Sequence, residues 1–188
     1  MNRKEFLQKS AKLGLGSTAL LVLNQANVDA SGQASQPDQL AVVQREKEFV
    51  QNWLADLLDS MDTVLDEETK VKIIEGCGRG CFRRFKFKQD LAKEGAGDVD
   101  KLIQALKKNF EVWREGDVVH IRYGAESKQC YCPAARYRPA KPNDLHCNCT
   151  KATHQTIWET ALGRPFKVDI LESLRRGGKT CHFLVHLT

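Results

Sequence analysis

No run of this 188-residue sequence stays apolar over the ~20 positions that a membrane-spanning helix needs. The candidate stretch, Leu13 to Leu23, is too short and is diluted by Gly14, Gly16, Ser17 and Thr18. A strong charge of one sign is also missing. The 29 lysines and arginines face 24 acidic residues, a formal +5, which predicts neither a nucleic-acid partner nor a membrane-surface partner. Internal repeats and low-complexity tracts are absent, which excludes a stacked-repeat architecture. Four of the seven cysteines stand in C-x-C pairs rather than at the C-x2-4-C spacing of common structural zinc knuckles. Proline is scarce, and three of the five prolines crowd into Pro133 to Asp144, which therefore reads as a loop.

Cysteine is what the chain does have. Four of its seven cysteines form two tight pairs, Cys130-Tyr-Cys132 and Cys147-Asn-Cys149, separated by that loop. On an extended chain, side chains two residues apart share a face, so neighbouring extended segments would bring four sulfurs to one spot. Four convergent thiolates suit Zn²⁺ or an iron–sulfur cluster. The same four can close two disulfides, which would run between the pairs, because a bridge within one C-x-C is strained. His146, before the second pair, is a possible replacement ligand.

The start of the chain bears on that choice. Arg3, Lys4, Lys9 and Lys12 form a basic leader, the apolar stretch follows, and Val28-Asp-Ala30 offers small residues for cleavage before Ser31. Residues 1–30 therefore read as an export signal and place the protein in the periplasm or another extracytoplasmic compartment. The run from Arg3 to Gln8 looks like a twin-arginine signal with Lys4 in place of the second arginine, so export machinery is an expected partner. Twin-arginine export carries folded, cofactor-loaded proteins, whereas Sec export delivers an unfolded chain to an oxidising compartment and favours disulfides. Without the leader the formal charge is +3, and all seven cysteines remain. No stable membrane insertion is expected after cleavage.

Residues 31–38 are polar and read as a linker, and residues 39–188 as one domain. Val43, Val50, Trp53, Leu54, Leu57, Leu58, Met61 and Leu65 recur at helical spacing and predict a long amphipathic helix that can break near Asp62. Asp66 is placed to cap a second helix that runs into Gly76-Cys77-Gly78-Arg79-Gly80-Cys81. Three glycines there mean that the helix stops or that its backbone approaches something closely. Asp98 is placed to cap a third helix. Segments 110–114 and 118–123 read as a hairpin, which Lys128 to Cys132 can extend. Thr150 reads as the cap of a helix that ends at Gly163 and Pro165, and segments 166–174 and 180–187 as a closing hairpin. The expected class is α+β: helices first, then a small antiparallel sheet with one inserted helix.

Outside the paired cysteines, Cys77 and Cys81 read as further ligands, a redox dithiol or a nucleophile, or else as a disulfide or two buried small residues. Arg79 between them suits an anionic group such as a carboxylate. His154 suits a general base, or packing against Trp158 one turn on. Cys181 reads as core, facing away from His182 and His186. The run from Arg83 to Lys88 interleaves bases with aromatics and reads as a solvated edge.

Several motifs together carry a resemblance: Cys130-Tyr-Cys132-Pro133, Cys147-Asn-Cys149-Thr150, Leu162-Gly163-Arg164-Pro165, the segment from Phe166 to Ser173, Gly177, and Cys181-His-Phe183. With the glycine-rich segment at 76–81, they make residues 70–188 resemble a bacterial family related to L-2-amino-thiazoline-4-carboxylic acid hydrolases. The closing hairpin is also similar to the small-molecule-binding domain named after 4-vinyl reductase. Cys181 stands where zinc sites of that domain place their last cysteine. Ser173 stands where another cysteine ligand would be, so that zinc site does not carry over. The hydrolase resemblance implies opening of a small heterocycle at a C–N bond, and it brings no assigned catalytic residue. The resulting expectations are a metal- or small-ligand-binding protein using Cys130, Cys132, Cys147 and Cys149, a C–N hydrolase using Cys77, Cys81 and His154 with Arg79 on the substrate, or a disulfide-stapled interaction module.

Overall fold

Among the described residues, Asp66, Asp98 and Gly163 set three of the helix ends. The computed structural model describes residues 39–135 and 137–188, so the expected export signal (1–30) and linker (31–38) lie outside the described residues. The chain divides into two compact units, Met1–Lys47 and Glu48–Thr188. Of the first, the described residues are the opening turns of α1 (Gln39–Val64), exposed apart from half-buried Val42.

The second unit holds the rest of α1, then α2 (Glu67–Arg84), α3 (Lys86–Glu94) and α4 (Val99–Lys107). A hairpin of β1 (Glu111–Glu115) and β2 (Val118–Arg122) follows, then α5 (Asn148–Leu162), β3 (Lys167–Glu172) and β4 (His182–His186). Asp66 caps α2 by accepting from the Thr69 amide at 2.9 Å, and Glu67 and Glu68 complement the dipole at the same end. Asp98 caps α4 in the same way. Gly163 ends α5 in the left-handed conformation at φ 68°.

The four strands form one antiparallel sheet in the order β1-β2-β4-β3. Val119, Ile121, Phe183 and Val185 are fully buried and alternate with His120, Arg122, His182 and His186 on the opposite face. Leu102, Leu106, Ile157 and Trp158 of α4 and α5 complete the core against the inner face. This is the expected α+β class, helices first and sheet last.

Four local readings are corrected. The α1 stripe does not turn inward as a whole: Val50, Trp53 and Leu57 are exposed, while Gln51 and Ala55 are buried. Gln51 donates to the Pro133 carbonyl at 3.4 Å, so the α1 face toward the loop is fixed by a polar contact that periodicity does not report. The basic–aromatic run is no strand edge; it ends α2 and begins α3. Segment 128–132 is loop rather than strand. Neither C-x-C pair is extended in a strand: Cys147 ends a 3-10 turn and Cys149 lies in α5.

Candidate functional site

The glycine-rich segment does not stop α2. The helix runs through it, which places Cys77 and Cys81 one turn apart. Gly78 explains why glycine is there. A Cβ at Gly78 would stand 2.1 Å from the Cys149 carbonyl oxygen and 2.9 Å from the Ala152 Cβ, so α2 and α5 touch backbone to backbone. Thr153 ties the crossing by donating to the Gly78 carbonyl at 3.1 Å and the Cys149 carbonyl at 3.0 Å. The contact brings Cys81 of α2 beside Cys149 of α5.

The second pair splits its sulfurs. Two residues along a helix turn the side chain through about 200°. Cys147 is buried against Ser173, Sγ to Oγ 2.8 Å, while Cys149 lines a cavity. Cys132 lines the same cavity from the proline-rich loop, and Cys81 lines it from α2. Thus the expected quartet is regrouped: Cys132 and Cys149 keep company with Cys81, whereas Cys147 faces Ser173. All seven cysteines are free thiols, with Cys77 exposed and Cys181 buried in the core. Among the described residues no three Cys, His, Asp or Glu side chains gather around one ion-sized spot.

The cavity measures about 480 Å³. Phe85, Phe87, Phe110, Tyr131 and Ile157 give it largely apolar walls. Lys88 enters from α3, and its ammonium donates to the Cys81 sulfur at 2.8 Å. That ammonium also lies 5.5 Å and 5.6 Å from the Phe85 and Phe87 ring centroids, a cation–π setting. Tyr123 and His154 also line it, hydrogen-bonded at 2.9 Å between Oη and Nε2, and His154 Nδ1 is buried without a partner.

Burial dominates the proton affinities. It pushes the Cys149 thiol up to about 12, helped by the negative charges that Cys132, Cys81 and Cys77 would carry. It raises Cys132 and Cys181 as well, and holds Cys147 at about 11. It drives the His154 imidazole down to about 3, with the Lys88 charge adding to the effect. Tyr123 is held well above the ordinary phenol value, by burial first and then by the neighbouring sulfurs. Cys132, Cys149 and His154 are therefore neutral at neutral pH.

A buried arginine fixes the loop that presents Cys132. Arg175 Nε donates to Asp144 at 2.9 Å, and Nη1 and Nη2 donate to the carbonyls of Ala135 at 3.0 Å and Pro139 at 2.9 Å. The Arg138 carbonyl and a second bond to Asp144 engage the remaining N–H groups, so all five donors are used. Asp144 in turn accepts from the His146 amide at 2.8 Å. His146 stands with Nε2 3.1 Å from the Cys132 sulfur and with Nδ1 buried and unpartnered; burial lowers its proton affinity.

No family model and no curated protein matches this chain.

Arg79 does not line the cavity. It pairs with Glu159 at 3.0 Å, and Gln155 braces Glu159 at 2.9 Å, so Arg79 clamps α2 to α5. His154 packs on Phe110, Tyr123 and Phe183 rather than in the expected pairing with Trp158. Sequence reasoning missed Lys88 and Tyr123. Lys88 had one legible signal, a basic residue seven positions after Cys81; Tyr123 had none, since its partner His154 is 31 residues away. A more polar groove of about 590 Å³, lined by Asp62, Lys70, Lys141 and Arg176 among others, carries no thiol.

Proposed function

We propose that the cavity holds a thiophilic metal centre with Cys81, Cys132 and Cys149 as its sulfur ligands. One observation carries the reading: three thiols from chain segments up to 68 residues apart line a single cavity. Buried neutral thiols are poor nucleophiles, but a metal displaces their protons outright. A cavity of about 480 Å³ with three sulfurs in its lining leaves more room than one zinc ion needs and suits a polynuclear group such as an iron–sulfur cluster. His146, neutral and 3.1 Å from Cys132, is placed to orient that ligand or to join it. The basic leader and apolar stretch at residues 1–30 support a protein exported to the periplasm, and a centre of this kind suits export in the folded state.

The test is metal and sulfide analysis of protein purified from full-chain expression. Near-stoichiometric iron or zinc is expected, falling at least fivefold in Cys149→Ser and Cys132→Ser and unchanged in Cys77→Ser. Metal-free protein whose thiols resist alkylation until reduced would overturn the reading in favour of a disulfide-stapled module.

The Lys88–Cys81 contact at 2.8 Å favours a second reading, a hydrolase of a small cyclic amidine. There the Cys81 sulfur, paired with the ammonium, attacks the amidine carbon. Lys88 gives a proton to the departing nitrogen, and water later releases the product. His154, held at about 3, is badly matched to general-base work at neutral pH. Consumption of 2-aminothiazoline-4-carboxylate by metal-free protein, lost in Cys81→Ser, selects this reading.

A further inference from the structure

The face of the sheet opposite the core carries a second cluster, remote in chemistry from the thiols. His120 of β2 and His182 of β4 are diagonal neighbours there, since Arg122 pairs with His182 and His120 with Leu184 across the ladder. Their ring nitrogens, His120 Nδ1 and His182 Nε2, lie 3.0 Å apart. Trp113 of β1 stacks flat on the His120 ring at 4.7 Å and 1°, and meets His182 at 5.3 Å. Glu115 sets a carboxylate oxygen 3.5 Å from the other His120 nitrogen, Nε2.

We propose that this pair is a transition-metal site, with His120 Nδ1 and His182 Nε2 as cis ligands and Glu115 as the group that orients His120. Metal–imidazole bonds are ~2.1 Å, so two nitrogens bound at a right angle stand about 3.0 Å apart, against about 3.4 Å for a tetrahedral pair. The observed 3.0 Å fits the right-angled set. That selects a divalent ion with square-planar or octahedral preference, Ni²⁺ or Cu²⁺, over Zn²⁺. Water completes the coordination on the open side.

The facing nitrogens share one hydrogen bond, its donor and acceptor set by the tautomers. Binding needs both lone pairs, so His120 carries its proton on Nε2, 3.5 Å from the Glu115 carboxylate, and His182 carries its proton on Nδ1. The other charged groups around the pair are accounted for. Arg122 is paired with Glu111 at 2.6 Å and lies over Trp113, and Glu172 contributes a weak attraction to His182. His186 is engaged by Asp169 at 2.7 Å at the far end of the strand.

The test is a Ni²⁺ titration of the full chain, followed by NMR line broadening, in a Cys149→Ser background that removes one thiol of the cavity. Broadening of Trp113, His120 and His182 signals is expected at micromolar Ni²⁺, with affinity falling at least tenfold in His182→Gln and in His120→Gln. Both histidines lie on the face away from the core, and unchanged core amide shifts will certify the fold of each variant. Glu115→Gln should weaken binding several-fold without abolishing it. Broadening that persists in both histidine variants, or that appears only at the thiols, would overturn the proposal. So would a free Trp113 signal at 100-fold molar excess of Ni²⁺. Because the background variant weakens the thiol cavity, this result and the fate of the cysteine centre are read separately.

Discussion

His154 is fully buried among Phe110, Tyr123 and Phe183, and among the described residues its ring hydrogen-bonds only to the Tyr123 hydroxyl. Burial, reinforced by Lys88, pushes the imidazole down to about 3, while the unfolded chain titrates near 6.5. The unfolded state therefore binds more protons between those values. His154 contributes stability that is fully present above pH 6.5 and is lost as pH falls toward 3, on the order of 5 kcal/mol in total. Urea unfolding across pH 7 to 4 should show wild-type stability falling more steeply than that of His154→Gln; parallel curves would contradict the assignment. At this scale the sequence pointed to Cys81, Cys132, Cys149 and His154, which line one cavity, but it grouped Cys132 and Cys149 with Cys130 and Cys147 rather than with Cys81. The grouping assumed period-2 alternation, whereas Cys147 and Cys149 sit where a 3-10 turn meets a helix and their side chains part company.

At the scale of the element, the α2–α5 crossing decides whether the cavity exists. Gly78 and Gly76 stand on the same helix and separate two effects of glycine. A Cβ at Gly78 would strike the Cys149 carbonyl, whereas one at Gly76 meets nothing within 4 Å. Gly78→Ala should therefore cost about 1–3 kcal/mol by overpacking and disturb the site, while Gly76→Ala should gain roughly 0.5–1 kcal/mol from helix propensity. Thermal melts of the two variants check this, and equal shifts of the same sign would contradict the close approach. Helix ends were legible where a local hydrogen bond sets them, at Asp66, Asp98 and Gly163. The start of α3 was not. Arg83 to Lys88 alternates base and aromatic with the period of a strand, and the helix wins because Leu91 and Ala92, further on, bury against the core. In α1 the apolar stripe overstated burial, because Asp59 and Asp62 bind Arg138 and thereby choose which face meets the loop.

Across residues 48–188, two clusters stand apart. The thiol cavity is lined from α2, α3, α5 and the loops that carry Phe110, Tyr123 and Cys132, and the outer face of the sheet carries the histidine pair. Arg175 of the β3–β4 connection reaches Asp144 and the carbonyls of the proline-rich loop, so the closing hairpin and the loop that presents Cys132 are mechanically one piece. The sequence conveyed the class and order of elements, because alternation and caps are local. It could not convey which cysteines share a cavity, because that depends on a helix crossing set by one glycine. Differential alkylation mass spectrometry, comparing native protein with protein stripped of metal by chelator under reducing conditions, tests the regrouping directly. Cys81, Cys132 and Cys149 should be protected together in the native protein and released together on stripping, while exposed Cys77 reacts throughout. Protection of Cys130, Cys132, Cys147 and Cys149 as a set, with Cys81 reactive, would contradict the account.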